Sequence, residues 1–343
     1  MLDPDQKGWI EKMNVSAETV VITGAFSYTG KHTTRLLLRR GYKVRTLTSH
    51  PSRENEFGQQ VEVFPYNFHR PEELVRSLRA ASTLINTYWV RFPRGESTFD
   101  GAVRNTTTLI DAARRAGVKR IVHVSIANPS LRSSLGYYRG KAQLEQAVAA
   151  SGLTYTIVRP TVIFGLEDIL INNIAWFARK FPVFGIPGDG CYRIRPIYME
   201  DMARLLVDSV VRPSNQVINA VGPETFSFEE LVRTIAGYVG RSPHLIHLAS
   251  PLAYAVTRLI GWFVGDTVLT WQEYQGLMAD LLAPGGPSTG ETRLSDWLSE
   301  NRDVIGGAYA SEVARHYAGL ATSSKFRGVR QARATSEPSR TRS

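Results

Sequence analysis

The chain has 343 residues, enough for one large domain or two modest ones. Its 43% hydrophobic and 21% charged residues are ordinary for a globular protein, and the single Cys191 excludes an internal disulfide and a cysteine-based metal cluster. The net charge of +10 does not indicate a specific nucleic-acid partner, because half of it lies in residues 321–343, a Ser- and Arg-rich stretch predicted to be a disordered basic tail.

Residues 20–41, VVITGAFSYTGKHTTRLLLRRG, predict the front half of a mononucleotide-binding βαβ unit. An apolar β-branched run of the kind that fills a buried strand comes first. Gly24 and Gly30 follow in a turn, where they allow a tight bend and a close approach of a pyrophosphate or the strand to the helix backbone. A helix-favouring run then ends at Gly41, so the free N–H groups of its first turn would face an anionic group.

Strands and helices alternate through the next 120 residues. Strands alternating with helices over short loops are typical of a parallel, doubly wound sheet. The pattern predicts strands at residues 43–48, 61–64, 83–86, 120–125 and 154–158, a late strand at 217–220, and helices at 71–80, 98–116 and 137–150.

The alternation loosens after Pro160, where Pro- and Gly-rich segments and helical patterns follow. We therefore predict an α/β protein: a doubly wound parallel Rossmann sheet with a smaller, mostly helical C-terminal substrate lobe over the carboxyl edge of the sheet. The predicted divisions are an N-terminal extension (1–18), a nucleotide-binding domain (19–162), a substrate lobe that adds a late strand to the sheet (163–320) and the basic tail (321–343).

Tyr137 and Lys141 form a YxxxK pair just after the fifth strand, and Ser125 ends that strand. Residues four apart share a helix face, so the ammonium can favour the phenolate form of the tyrosine, and it can also hold ribose hydroxyls. The alternative is a structural role without catalysis: a surface Tyr–Lys pair and a serine that caps a turn.

These motifs together resemble the short-chain dehydrogenase/reductase superfamily: TGAxxxxG after the first strand, Ser125, the YxxxK pair and VRPT at 158–161. The stretches 163–173, 196–210 and 217–240 are similar to its NAD-dependent epimerase/dehydratase branch, and more closely to atypical members related to the nucleotide-holding accessory subunit of mitochondrial complex I. The resemblance covers roughly residues 18–248.

The resemblance implies that Tyr137 exchanges a proton with the substrate oxygen, that Lys141 tunes the tyrosine and binds ribose, and that Ser125 hydrogen-bonds the substrate carbonyl. It also implies contacts to each part of a nicotinamide nucleotide. The pyrophosphate would contact Gly24, Ala25, Phe26, Ser27, Tyr28, Thr29 and Gly30, and adenine would contact Asn67. The nicotinamide ribose would contact Asn86, Thr87 and Tyr88, and the nicotinamide amide would lie against Pro160 and Thr161.

Two departures from the family pattern stand out. Ser27 occupies the position of a middle glycine, and TYWVRFPRGE after the fourth strand replaces small residues, which predicts a bulky pocket. After the second strand, Ser49, His50 and Arg53 stand where an NAD enzyme usually carries an acid, so NADP is predicted over NAD.

The sequence therefore predicts an NAD(P)H-dependent oxidoreductase that acts on a carbonyl or hydroxyl of an unknown small molecule. The alternatives are a nucleotide-sugar epimerase or dehydratase, and a non-catalytic nucleotide-binding assembly or redox-sensing protein. No metal site is expected at His244 and His247, and the interrupted apolar segment 251–269 is a poor membrane span. Trp262, Phe263 and Trp271 are predicted to pack in the lobe. The polar start of the sequence shows no secretory signal, so we expect a cytoplasmic location.

Overall fold

The structure is a computed structural model that describes residues 18–91, 93, 95, 97–249 and 271–311. The predicted basic tail, nearly all of the N-terminal extension, and the apolar segment 251–269 with Trp262 and Phe263 lie outside the described residues, as does the side chain of Trp271.

A seven-stranded parallel sheet forms the centre of the protein. Its strand order is β11-β6-β5-β4-β1-β2-β3, which is the doubly wound order with one strand added at the β6 edge. The strands are β1 (Thr19–Thr23), β2 (Lys43–Thr48), β3 (Val61–Pro65), β4 (Ala81–Asn86), β5 (Arg120–Val124), β6 (Thr154–Pro160) and β11 (Gln216–Ala220). The predicted fold class is confirmed.

Helices cover both faces of the sheet, which explains why both faces of β1 are apolar at Val20, Val21 and Ile22. On one face α1 (Tyr28–Arg39) and α6 (Met199–Asp208) pack over Val20, Ile22 and Ile85. On the other face α2 (Pro71–Leu78), α3 (Phe99–Arg115) and α4 (Gly136–Ala149) pack over Val21, Leu84 and Ile121.

The C-terminal lobe has a hydrophobic core of its own, built around Phe164, Ile174, Leu231 and Trp297. Its helices are α5 (Leu170–Lys180), α7 (Phe228–Tyr238), α8 (Trp271–Met278) and α9 (Leu294–Asn301). None of the described helices is long and apolar enough to cross a membrane.

The lobe also contains three two-stranded sheets that the sequence analysis did not predict. Four of their six strands are only two residues long, too short for an alternating pattern to be seen. The pairs are β7 (Ile163–Phe164) with β10 (Ile197–Tyr198), β9 (Arg193–Ile194) with β12 (Phe226–Ser227), and β8 (Val183–Pro187) with β13 (His244–Leu248).

The turn between β1 and α1 depends on a close backbone approach. A Cβ atom on Gly30 would lie only 1.9 Å from the carbonyl oxygen of Gly24. No side chain fits there, so glycine at position 30 is required for α1 to start where it does.

We predict that Gly30→Ala destabilises the fold by about 2–3 kcal/mol, the scale of a strained overpacking, which is roughly a 3–6 °C fall in melting temperature for a chain of this length. Gly237→Ala, inside α7, is the matched control: a Cβ there meets nothing within 4 Å, and alanine is the better helix former. Equal melting temperatures for the two variants would contradict the close-approach account.

Candidate nucleotide-binding and catalytic site

The glycine turn lies at the carboxyl edge of the sheet, between β1 and its neighbours β2 and β4. Gly24 has a φ of +66°, a backbone conformation that favours glycine. Its N–H donates to the carbonyl of Leu47 at 2.8 Å, and the N–H of Ala25 donates to the hydroxyl of Thr46 at 3.0 Å. The turn is therefore fixed to the end of β2.

Ser27 is the N-cap of α1. Its hydroxyl accepts a hydrogen bond from the N–H of Gly30 at 3.2 Å, and its φ of −79° is extended. A middle glycine is thus not needed here, because serine satisfies one of the free donors of the first helical turn. The departure from the family pattern that the sequence analysis noted is a local capping solution.

The next turn of α1 faces acids of the C-terminal half. Lys31 pairs with Glu167, and His32 Nδ1 lies 2.7 Å from Glu200 Oε1. The hydrogen bond to His32 holds the pKa of Glu200 below its ordinary value. These contacts fix the start of α1 relative to the lobe.

A row of buried polar side chains crosses the ends of β1, β4 and β5. Thr23 Oγ1 accepts from the N–H groups of Thr87 and Tyr88 at 2.7 and 3.0 Å and donates to Asn86 Oδ1 at 3.2 Å. Asn86 Nδ2 in turn lies 3.0 Å from His123 Nδ1. Because the Asn86 oxygen is occupied by donors, its amide group donates to His123.

Two consequences follow from this row. The predicted ribose-binding residue Asn86 is fully buried, and both atoms of its side-chain amide are bonded to protein. His123 is also fully buried; burial and the nearby Lys141 cation hold its pKa well below the usual range, so the ring is neutral.

Ser125 follows β5 directly and is 4% exposed. Its N–H donates to the carbonyl of Val158 at 2.7 Å, which fixes the backbone to β6. Its hydroxyl has no hydrogen-bond partner among the described residues. A buried hydroxyl without a partner is costly, so this group is available to a bound molecule.

Lys141 lies beneath an aromatic side chain. Its Nζ donates to the carbonyl of Val124 at 2.8 Å and lies 4.6 Å from the ring centre of Trp89, while the residue as a whole is 2% exposed. Burial lowers the pKa of Lys141 to about 7, against the opposing influence of Glu145. The ammonium is thus stabilised by a carbonyl and an aromatic face rather than by water.

Tyr137 contacts the same indole. Its ring lies edge-on to Trp89 and to Phe99, with ring centres 5.5 and 5.8 Å apart. A Cβ on Gly140 would lie 2.8 Å from Trp89 Cη2, so the glycine lets the indole pack on the backbone of α4. Trp89 therefore joins the end of β4 to both members of the YxxxK pair.

The remaining predicted nucleotide contacts lie along the edge in two places. Ser49, His50 and Arg53 are exposed in the loop after β2, and Arg53 forms no ion pair with any described acid. Asn67 has a φ of +46° in the loop after β3. Its neighbours Tyr66 and Phe68 form an aromatic cluster with Tyr88, at ring distances of 4.9–5.0 Å.

Pro160 and Thr161 lie at the end of β6, on the same edge of the sheet. The carbonyl of Pro160 accepts from the N–H of Ala127 at 2.9 Å, and the hydroxyl of Thr161 donates to the carbonyl of Arg195. These bonds hold the end of β6 against the loops after β5 and before β10.

The structure therefore brings the predicted residues together on one edge. The glycine turn, its capped helix N-terminus and the unpartnered Ser125 hydroxyl are the groups along this edge that could hold a dinucleotide. Among the described residues no group of His, Cys, Asp and Glu could hold a metal ion, and His247 instead pairs with Glu229 at 2.9 Å.

A family description, NAD(P)H-binding, matches residues 24–168. This chain carries an NAD(P)-binding Rossmann domain. An NADPH-dependent quinone oxidoreductase from Escherichia coli, solved with NADPH, has the same fold: the TM-score is 0.69 at 19% identity, covering 82% of this chain and 99% of that chain. At this identity the likeness shows the fold alone.

Two curated relatives extend over most of the described chain. Subunit 9 of the NADH dehydrogenase [ubiquinone] 1 alpha subcomplex, mitochondrial, from Arabidopsis thaliana is 25% identical over 263 residues, which is 73% of this chain and 65% of the relative. Ceramide reductase from Caulobacter vibrioides is 29% identical over 241 residues, or 68% of this chain and 74% of the relative. One relative is mitochondrial by name, and the cytoplasmic location stays a prediction.

Sequence reasoning missed three parts of the site: Trp89 as the cover of Lys141, the buried His123, and Gln272, whose side chain contacts the N-terminus of α4. The bulky residues Thr87, Tyr88 and Trp89 after the fourth strand were the sequence feature that could have indicated the aromatic cover of Lys141. The period of two along a strand could have indicated the buried His123, because it lies two residues before Ser125 and therefore on the same face of the strand. No sequence signal places Gln272 beside a helix that begins 136 residues earlier.

Burial of Lys141 predicts a pH-dependent stability. Between pH 7 and 10.5 the unfolded chain holds a proton on this lysine that the folded chain has lost, so stability rises with pH across that window. Lys141→Met removes this cost of burying the charge. The melting-temperature gain from the substitution should therefore be larger at pH 6.5 than at pH 9.5.

The matched control is Lys119→Met, at an exposed lysine just before β5. Its effect on the melting temperature should be the same at both pH values. A Lys141→Met effect that also does not change with pH would show that the folded protein keeps this ammonium charged throughout the range.

Proposed function

We propose that the protein is an NAD(P)H-dependent oxidoreductase, with preference for NADPH, that acts on a carbonyl or hydroxyl carbon of a small molecule. The observation that carries the proposal is the buried, unpartnered hydroxyl of Ser125 at the end of β5, beside the strand carbonyl that holds Lys141. Other buried hydroxyls, such as that of Thr156, also have no partner among the described residues, but the Ser125 hydroxyl lies just after the carboxyl end of β5, where a substrate oxygen would take it as a donor.

In this proposal Ser125, Tyr137 and Lys141 each act through their side-chain polar atom. The hydroxyl of Ser125 donates to the substrate carbonyl oxygen, and the phenol of Tyr137 exchanges a proton with that oxygen. Lys141 Nζ holds ribose hydroxyls and favours the phenolate form of Tyr137. A bound nicotinamide nucleotide supplies or takes the hydride.

The pyrophosphate lies against the Gly24–Gly30 turn at the N-terminus of α1, since the positive end of a helix dipole favours negative charge. The N–H groups of Gly24, Ala25 and Gly30 are themselves bonded to protein, so the turn contributes its close approach and the helix dipole. The backbone N–H groups of Thr87 and Tyr88 are already bonded to Thr23, so this loop serves by its fixed shape. The names of two similar proteins, a ceramide reductase and a quinone oxidoreductase, support a carbonyl-type substrate with apolar character. The aromatic side chains around Tyr137 suit such a substrate.

Tyr137→Phe keeps the aromatic packing against Trp89 and Phe99 and removes the proton. We expect nucleotide affinity to be nearly unchanged and turnover to fall by roughly 10²–10⁴-fold, the range of lost general acid–base catalysis. The measurement is NADPH consumption with the best substrate from a screen of ketones, quinones and long-chain oxo compounds. Tyr238→Phe is a control at a half-buried tyrosine that packs against the lobe core.

Normal turnover by Tyr137→Phe would contradict the proposed proton-transfer role of Tyr137. Loss of nucleotide binding together with turnover would show instead that the hydroxyl is needed to build the nucleotide site.

Cofactor choice depends on the loop after β2. Arg53 is exposed, forms no ion pair with a described acid, and lies in a loop where Ser49 and His50 also offer donors to a 2′-phosphate. We expect NADPH to bind more tightly than NADH, and Arg53→Ala to lose most of that preference, because a charge-assisted contact contributes about 1.5–3 kcal/mol. Fluorescence titration with both nucleotides measures this; equal affinities in the native protein would refute it.

A second function is favoured by the position of Trp89. Because Lys141 is 2% exposed and lies under the indole, a ribose can reach its ammonium only after Trp89 moves. A protein that holds a nucleotide for assembly or redox sensing could use this closed arrangement, and one relative is a complex I subunit by name. Tight NADPH binding without turnover of any substrate in the screen would favour this second function.

A further inference from the structure

The N-terminus of α4, which carries Tyr137 and Lys141, receives its hydrogen-bond acceptor from the lobe. The N-cap residue is Leu135, whose side chain cannot accept a hydrogen bond. The N–H of Tyr137 instead donates to Gln272 Oε1 at 2.9 Å. The first N–H groups of a helix have no partner within the helix, so this amide oxygen satisfies one of them from 135 residues away.

A second contact places α8 against the same turn. Gln272 and Gly276 are four residues apart and share one face of α8. A Cβ on Gly276 would lie 2.5 Å from the hydroxyl of Tyr138, so that glycine allows the two helices to approach closely. The backbone of α8 therefore packs directly on the start of α4.

The rest of α8 belongs to the lobe. Leu277 is part of the lobe core, and Tyr274 is 2% exposed. A Cβ on Gly188, in the turn after β8, would meet Met278 at 2.5 Å. One short helix thus connects the core of the substrate lobe with the first turn of the YxxxK helix.

We propose that Gln272 is a positioning residue that holds Tyr137 in place and couples the C-terminal lobe to the catalytic helix. Its side-chain oxygen fixes the backbone of the residue whose phenol does the proton transfer. The inference rests on the proposed function only for the catalytic role of Tyr137; the structural coupling stands without it.

The test compares three variants. Gln272→Met keeps the length of the side chain and loses the acceptor, Gln272→Glu keeps an acceptor oxygen and adds a charge that the helix N-terminus favours, and Gln275→Met changes another glutamine of α8. The readouts are amide hydrogen exchange at Tyr137, nucleotide affinity and the kcat and KM of turnover.

We expect Gln272→Met to speed exchange at Tyr137 by about 10-fold or more and to lower kcat by about 10-fold or more, since small misplacements of a reacting group are costly. Nucleotide affinity should change by less than about twofold. Gln272→Glu should restore slow exchange and turnover, and Gln275→Met should behave as the native protein.

Unchanged exchange at Tyr137 in Gln272→Met would overturn the proposal, whether or not the protein is an enzyme. Fast exchange with normal turnover would overturn the positioning role while leaving the hydrogen bond intact as a structural feature. Failure of the proposed function shows itself separately, as normal turnover in Tyr137→Phe.

Discussion

The site depends on one ammonium group kept out of water. Lys141 has a strand carbonyl 2.8 Å from Nζ on one side and the indole of Trp89 on the other. Among the described residues no carboxylate pairs with this ammonium, and Glu145 of the same helix pairs with Arg159 instead. Burying such a cation is costly, and burial lowers the pKa of Lys141 to about 7. Three neighbouring elements stabilise the buried group. The end of β5 provides the carbonyl of Val124, the residue Trp89 after β4 covers the ammonium, and Gly140 leaves the space in which that indole packs.

The order of elements could be predicted because it follows from local patterns. Apolar β-branched runs, glycine stops and the alternation of strands with helices gave the parallel sheet, and the end of β2 at Thr48 and the start of α4 near Tyr137 agree with the structure to within a residue. The late strand was also expected, and it lies as β11 beside β6. These signals are contained in windows of a few residues.

The site's internal contacts could not be predicted in the same way. The row from Thr23 through Asn86 to His123 exists because three strands from distant parts of the chain stand in register. Asn86, which is predicted to contact a ribose, lies buried in the middle of that row. Gln272 reaches Tyr137 only through the packing of the lobe on α4. Such contacts are tertiary, and no spacing in the sequence encodes them.

A crystal structure of the protein with NADPH tests the central claim most directly, namely that this edge of the sheet is a nucleotide site centred on Lys141. We predict the pyrophosphate at the Gly24–Gly30 turn, a ribose hydroxyl within hydrogen-bond distance of Lys141 Nζ, and the indole of Trp89 moved away from the ammonium. Nucleotide bound elsewhere, or bound at the turn with Lys141 still covered by Trp89, would contradict the account.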